Sequence, residues 1–412
     1  MFSIGILNLL LFFFLSCQSI ENHQASDTKG PVKISLNTGN QYSFKNDFLG
    51  VIMPSLFTAF SLDDTLFTKD ILKTGFSNFQ FPGGILSHWN HYKPNGDGYN
   101  INLLEVKKYD GEASWMNKDI VTNERDFFEE TLRFCKTNKK VLVLTANLFT
   151  GTISELKYAL TRCKEENVNA KVVLGVELQI ASMHKYFPSG NTYCKTAAEY
   201  INMIRKNFPE LEIAADGANL DAGKKEIPFR SEWNSEIAKL DFDAIALYQY
   251  AKLNKILSSN DVESIFKEAN SRLTDYVNNG FQMQIEQYKQ YFGDKPIWIV
   301  QSGIDYHETK FIIGNTITSA MYDADYYLWC AKFNALNNNS LPIVEYTKLA
   351  SNNVGVDVFT HSFPQKEKAK DDNNFVKRTP FFVFNLISPI SQDSVNFVPA
   401  TIANIDTTIT HI

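Results

Sequence analysis

Eight short apolar runs, alternating with longer segments of helical periodicity, set the narrowest limit on how this chain can fold. The runs are Phe48–Met53, Asn78–Phe81, Val141–Ala146, Val172–Gly175, Glu212–Ala215, Ala244–Tyr248, Ile297–Val300 and Ile343–Tyr346. Each has the length of a buried strand rather than a helix. Between them, apolar residues recur at helical spacing over Glu124–Thr137, Ile153–Glu166, Ala197–Phe208, Val262–Asn279, Met283–Phe292 and Thr316–Asn334. Strands that alternate with helices form a parallel sheet, because each return crossing is a helix packed on its face. Eight such units suit a single closed (β/α)8 barrel, the TIM-barrel class, placed at residues 46–390. An open doubly wound sheet is the alternative. It would carry a glycine-rich phosphate loop after an early strand, and none is present. There is no internal repeat.

The flanks are different in character. Ile4 to Leu15 is almost continuously apolar and is followed by Ser16-Cys17. That run is too short to span a bilayer and has the length of a secretory core, so residues 1–16 are expected to be a signal peptide. The ending Leu15-Ser16-Cys17 resembles a bacterial lipoprotein signal, which implies cleavage before Cys17 and acylation of its sulfur. The sequence departs from that pattern in lacking Lys or Arg before the apolar run and in having Phe14. Ordinary signal-peptide cleavage is the alternative. Residues 17–30 are polar and are expected to be a tether. Val32–Leu36 and Gln41–Phe44 flank Asn37-Thr38-Gly39-Asn40, the pattern of a β-hairpin within 31–45. Arg378–Ser388 reads as a final helix or strand packing back. Residues 391–412 are rich in Val, Ile and Thr. They are expected to form strands that pair with the hairpin as a small accessory sheet.

With 412 residues, 44% of them apolar, and a formal charge of −6, the chain can build a large core. It lacks the basic balance of a nucleic-acid binder. Aromatics make up 13% of the chain, enough for both a Phe-rich core and stacking faces for a sugar. Besides Cys17, Cys135, Cys163, Cys194 and Cys330 are too irregularly spaced for a metal motif or a small-domain disulfide framework. They are expected to be mostly buried thiols, with one bridge open to an exported chain. His88 and His91 lie three apart, but no third ligand stands near, so no metal and no cofactor is expected.

In a barrel, chemistry sits at the C-terminal ends of the strands. The second run ends in Phe81-Pro82-Gly83-Gly84 and leads into His88, Trp89, His91 and Tyr92. The glycines let backbone approach whatever fills the mouth. This motif resembles the second strand of retaining glycoside hydrolases of the α-L-arabinofuranosidase and β-xylosidase type. The resemblance continues in order over roughly residues 45 to 390. Val141–Asn147 is similar to the third strand, Val172–Leu178 to the fourth, Asp243–Tyr248 to the sixth, Lys295–Gln301 to the seventh, and Val344-Glu345-Tyr346 to the eighth. The resemblance implies an oligo- or polysaccharide ligand and a carbohydrate-facing cleft that includes His88, Trp89, Asn147, Val176, Tyr248, Tyr250 and Glu345.

Retaining hydrolysis needs two carboxyl groups about 5–5.5 Å apart, one protonated and one ionised and nucleophilic. The resemblance assigns the acid/base position to Glu177. The nucleophile position falls on Gln301, whose neutral amide forms no glycosyl ester. Val176 replaces the Asn that hydrogen-bonds the sugar, and Tyr248 stands where the family often has His. Three departures at one centre, on an otherwise readable scaffold, imply an exported lipoprotein that binds carbohydrate without the family's hydrolysis. It would be membrane-anchored, in the periplasm or at the cell surface. Two alternatives stay open. One is an active glycosidase pairing Glu177 with Glu345, Asp216, Asp305 or Glu308, or using the substrate's own groups. The other is a structural or interaction lipoprotein with no sugar role.

Overall fold

The computed structural model describes residues 33–37, 39, 42–43, 47–54, 61–92, 99–101, 126–221, 223–253, 261–304, 313–347, 349–351, 357–361, 375–391, 396–398 and 400–403. The expected signal peptide, Cys17 and the expected tether lie outside them, as do Asp305 and Glu308. The strands in chain order are β1 (Lys33–Leu36), β2 (Tyr42–Ser43), β3 (Leu49–Pro54), β4 (Asn78–Gly83), β5 (Asn90–Tyr92), β6 (Tyr99–Ile101), β7 (Val141–Ala146), β8 (Ala170–Leu174) and β9 (Ile213–Asp216). They continue with β10 (Ala244–Ala251), β11 (Ile297–Ile304), β12 (Ile343–Tyr346), β13 (Ala350–Ser351), β14 (Phe359–His361), β15 (Phe375–Lys377), β16 (Asn396–Phe397) and β17 (Ala400–Ala403).

Strands β3, β4, β7, β8, β9, β10, β11 and β12 form a closed parallel barrel in which each pairs with the next and β12 closes on β3. All eight expected strands are present. Long helices connect most of them: Phe127–Asn138, Ile153–Glu165, Gly190–Asn207, Ile227–Ile237, the Val262–Phe292 segment, and Ile317–Leu336. Their starts are written locally. Asp126, Ser189 and Asp261 each accept a backbone N–H of the first turn. Thr152 and Glu155 form a reciprocal capping box. Such a cap is worth about 1 kcal/mol.

Residues paired across a parallel ladder face the same side, and here the inward set is legible from its sizes. Val143, Val173, Ala214, Ala244, Ala246, Trp298, Val300 and Ile343 fill the barrel as one cluster, joined toward the mouth by Val176 and Tyr248. The Trp298 indole shares this cluster with three alanines, Ala214, Ala244 and Ala246. The ammonium of Lys171 lies 5.3 Å from that ring and pairs with Glu212 at 2.6 Å. A second, larger cluster packs the outer faces of the strands against the helices.

One expectation is corrected and others are resolved. Among the described residues the N-terminal strands do not pair with each other as a hairpin: β1 is antiparallel to β17 and β2 to β16, so each takes a C-terminal partner, as expected of the accessory strands. The segment Thr379–Ile387 is a helix with proline in its first turn. Two helices unmarked in the sequence, Thr65–Leu72 and Ile227–Ile237, are present, and Val262–Asn279 ends in a π-turn at Tyr276–Gly280. Cys135, Cys163 and Cys330 are buried, Cys194 is half-buried, and all four are free thiols.

Two adjacent glycines are demanded for different reasons. A Cβ on Gly83 would stand 1.7 Å from Ile52 Cγ2, whereas Gly84 has φ +65° and nothing within 4 Å of an added Cβ. Gly83→Ala is therefore expected to cost more than the roughly 1–2 kcal/mol of placing Ala in the left-handed region at Gly84→Ala. Urea unfolding of the two variants checks the order.

Candidate functional site

The mouth is built on one left-handed turn. Strand β8 runs into Gly175 (φ +86°), Val176 and Glu177, and Glu177 itself has φ +52°, a conformation that side-chain-bearing residues rarely adopt. Two side chains hold it there. The Glu177 N–H donates to Tyr248 Oη at 2.9 Å, and the Leu178 N–H donates to Asp216 Oδ2 at 2.9 Å. Tyr248 Oη in turn donates to Asp216 Oδ1 at 2.8 Å. Asp216 is fixed through its main chain as well: its N–H donates to Tyr193 Oη at 2.9 Å and its carbonyl accepts Trp233 Nε1–H at 2.8 Å. Three strand ends, β8, β9 and β10, are thus tied at the place where Glu177 projects, half-buried.

Burial raises the Asp216 pKa to about 7, against the hydrogen bonds from Leu178 and Tyr248, which lower it; the charge of Glu177 adds to the rise. A buried carboxyl drawn toward its protonated form in this way is a poor nucleophile.

Gln301 faces the same interior. It pairs with Tyr248 across the β10–β11 ladder, at an irregularity that skips Val300. Its Nε2 donates to Thr347 Oγ1 at 3.2 Å, and its Oε1 is buried without a hydrogen-bond partner. Half-buried Tyr250 meets the same Thr347 hydroxyl at 3.3 Å.

Glu345 is not at the mouth but inside the barrel. It is fully buried, and its Cγ occupies space left by Gly50, where a Cβ would approach to 2.7 Å. The Gln80 amide, oriented so that all its neighbours are satisfied, donates to Glu345 Oε2 at 2.6 Å and to the Val300 carbonyl at 2.8 Å. It accepts from Thr145 Oγ1 at 2.9 Å. Burial raises the Glu345 pKa well above the usual carboxylate value, favouring the protonated form. A protonated, covered carboxyl does not supply the ionised partner that hydrolysis requires. Gln80, Thr145 and Thr347 were not singled out in the sequence, although Asn78 and Gln80 alternate with Phe in β4, a polar pattern on a strand's inward face.

The second-strand turn delivers the rest. Ser87, His88 and Trp89 lie in the 3-10 turn Gly84–Trp89 and are buried. His88 Nε2 meets the Val176 carbonyl, and burial lowers the His88 pKa to about 4. Trp89 is only 3% exposed, edge-on to Phe149 at 5.2 Å, so its ring is packed rather than offered to solvent. His91 turns away from His88 and pairs with Glu155 at 3.0 Å. Asn147 uses its whole amide on local structure. Oδ1 accepts from the N–H groups of Phe149 and Thr150 at 3.0 and 2.9 Å, and Nδ2 donates to the Asn90 carbonyl and Thr150 Oγ1, both at 2.9 Å. It shapes the loop after β7.

No protein-family model matches this chain, and no curated protein sequence matches it. Solved structures do. One is a family 51 α-L-arabinofuranosidase from Bifidobacterium longum, with 13% identity and a TM-score of 0.60, covering 88% of this chain and 77% of that one. Another is a conserved exported protein from Bacteroides fragilis, with 8% identity and a TM-score of 0.52, covering 89% and 83%. A third is BuGH86 in complex with neoagarooctaose, with 11% identity and a TM-score of 0.50, covering 90% of this chain and 64% of that one. The chain has the (β/α)8 barrel fold of glycoside hydrolases.

The tied turn makes two predictions. Tyr248→Phe removes both the acceptor for Glu177 N–H and the donor to Asp216, and is expected to cost about 1–3 kcal/mol in urea unfolding. The second concerns pH. Because the folded chain binds the Asp216 proton more tightly than the unfolded one, this residue's contribution is full below about pH 4 and is lost as pH rises through about 7. A shift from 3.8 to about 7 corresponds to a loss of up to about 4 kcal/mol. Asp216→Asn should lose less stability than the wild type between these limits, measured as unfolding free energy at each pH.

Proposed function

We propose that this barrel binds carbohydrate at its mouth and does not carry out retaining hydrolysis. The observation that carries the reading is Gln301. An amide stands on the interior face of β11, laterally paired with the Tyr248 that holds Glu177. Where a retaining enzyme places an ionised carboxylate, this chain places a neutral group. The described carboxyls that might replace it are engaged elsewhere. Asp216 accepts from Tyr248 and Leu178, and Glu345 is buried with Gln80 below the mouth. Val176 offers no side-chain hydrogen bond in front of Glu177. What remains is a half-buried acid, a half-buried Tyr250 and unpartnered polar atoms, a set suited to hydroxyl-rich ligands. The likeness of the fold to sugar-cleaving barrels supports the ligand class.

Calorimetry and affinity electrophoresis against a panel of plant and algal polysaccharides test the reading. Binding without release of reducing sugar is the expected result. Failure to bind any glycan overturns it. So does product release that Glu177→Gln abolishes, because that outcome assigns the chain as an enzyme. Gln301→Glu restores the missing carboxylate and is expected to bind with similar affinity.

We further infer that the chain is exported and acylated at Cys17, on the apolar run Ile4–Leu15 and the Leu15-Ser16-Cys17 ending. Cys17→Ala should move the protein from the membrane pellet to the soluble fraction. A variant that stays in the pellet contradicts the anchor.

A further inference from the structure

We propose that the outer face of the helices Ile317–Leu336 and Thr379–Ile387 rests on a lipid surface and lays the barrel on its side against the membrane. The inference rests on the acylation at Cys17 argued above and adds which part of the body meets the lipid.

The helices after β4 and β7 present charge to solvent: Arg162 pairs with Glu129, Glu165 and Glu166 at 2.8, 3.0 and 3.2 Å. The helices after β11 and β12 do not. Ile317–Leu336 carries only Asp323, Asp325 and Lys332 as charges in its 20 residues, and Asp323 is buried. Thr379–Ile387 carries none. A helix apolar on every side belongs in an interior, yet each of these has one side in solvent. Ile317, Leu328 and Leu336 are 64%, 45% and 49% exposed, and Phe382 and Leu386, one turn apart, are 59% and 45% exposed. The two faces adjoin. Phe384, on the buried side of its helix, packs on Tyr327 at 4.9 Å and on Tyr346 of β12 at 5.0 Å, so both helices lie on the barrel wall with these residues outward. Exposed Leu66 carries the surface onto the next helix, Thr65–Leu72, which joins through ring contacts of Phe359 with Phe67 at 5.1 Å and with Phe381 at 5.4 Å. An apolar surface of this extent on a folded chain marks a contact that covers it.

The path of the chain and the charges around the patch name lipid as the cover. Strands β2 and β16 touch Ile317–Leu336, so the chain coming from Cys17 enters the barrel unit on this helix. Residues 18–32, read as a tether, span roughly 20 Å on average, which keeps this side of the barrel near the acyl chains. Exposed Lys69, Lys73 and Lys332 stand on the same three helices, a combination of ammonium and apolar groups that suits a phosphate-bearing headgroup layer. Among the described residues no helix is long and apolar enough to cross a membrane, so the face lies on the bilayer rather than spanning it. With its wall on the lipid, the barrel axis runs along the membrane and the mouth opens sideways, clear for a glycan.

The test places the full acylated chain in phosphatidylethanolamine and phosphatidylglycerol vesicles with brominated acyl chains. A tryptophan introduced by Phe382→Trp or Leu328→Trp should shift to the blue and lose emission to the bromines. One introduced by Asn202→Trp, exposed on the helix after β8 across the barrel, should do neither. On vesicles, the unacylated Cys17→Ala chain should bind more weakly than wild type, and adding Phe382→Glu or Leu328→Glu should weaken it further by about tenfold or more. A chain that floats with the vesicles while its Trp at 382 and 328 stays unquenched overturns the proposal and leaves the anchor in place. A wild type that does not float removes the anchor, and a lipid titration of Phe382→Trp then decides the face by itself: a blue shift keeps it, no shift removes both. A solution dimer dissolved by Phe382→Glu assigns the face to a second copy and overturns the proposal.

Discussion

The hydrogen bond from Tyr248 Oη to Asp216 is the contact on which the mouth depends. It joins β10 to β9, and the same two side chains receive the consecutive N–H groups of Glu177 and Leu178. Without these acceptors, the left-handed backbone at Glu177 would be strained and its amide unpaired. The bond sits at the top of a barrel whose interior is otherwise apolar, where burial strengthens it and pushes Asp216 toward its protonated form. Position and charge state of the site are therefore set by the same few atoms.

That arrangement bears directly on chemistry. A tyrosine committed to Asp216 holds the Glu177 turn in shape rather than orienting a nucleophile across the barrel. The substituted amide of Gln301 and the buried acid Glu345 then follow a common logic. Each has one protein partner, Thr347 for Gln301 Nε2 and Gln80 for Glu345 Oε2, and one buried oxygen without a hydrogen-bond partner. The barrel keeps the rigidity of an active-site frame. Unpartnered buried atoms of both kinds, donors and acceptors, remain around it, among them Gln301 Oε1, Glu345 Oε1 and Asn90 Nδ2. On the proposed reading, such a frame binds hydroxyls and lacks the ionised carboxylate that attacks a glycosidic carbon.

Much of the fold could be read from the chain. The eight strands were visible because a barrel strand is buried on both faces and reads as a short apolar run. Their ends were less visible. Strands β10 and β11 run on to Ala251 and Ile304 through Gln249, Tyr250, Gln301 and Ser302, polar residues that a hydropathy pattern reads as loop. The supposed hairpin at Asn37–Asn40 carried a local turn signal, while the partners that β1 and β2 take lie more than 350 residues away in sequence, at Ala400–Ala403 and Asn396–Phe397. Strand-end logic brought Glu177, Tyr248 and Gln301 to one place correctly. It could not tell that Asn147 spends its amide on its own loop, or that Glu345 points into the core, because both depend on which face a single residue takes. Asp216, noted only as a strand-end acid, is the residue the turn hangs on.

A crystal structure of the wild-type chain soaked with a neutral oligosaccharide tests the central claim most directly. The account predicts an intact glycan in the mouth, with its glycosidic bond uncleaved beside Glu177 and Gln301. A cleaved product, an ester between the sugar and any carboxylate of the chain, or a mouth that stays empty while sugar binds elsewhere would contradict it.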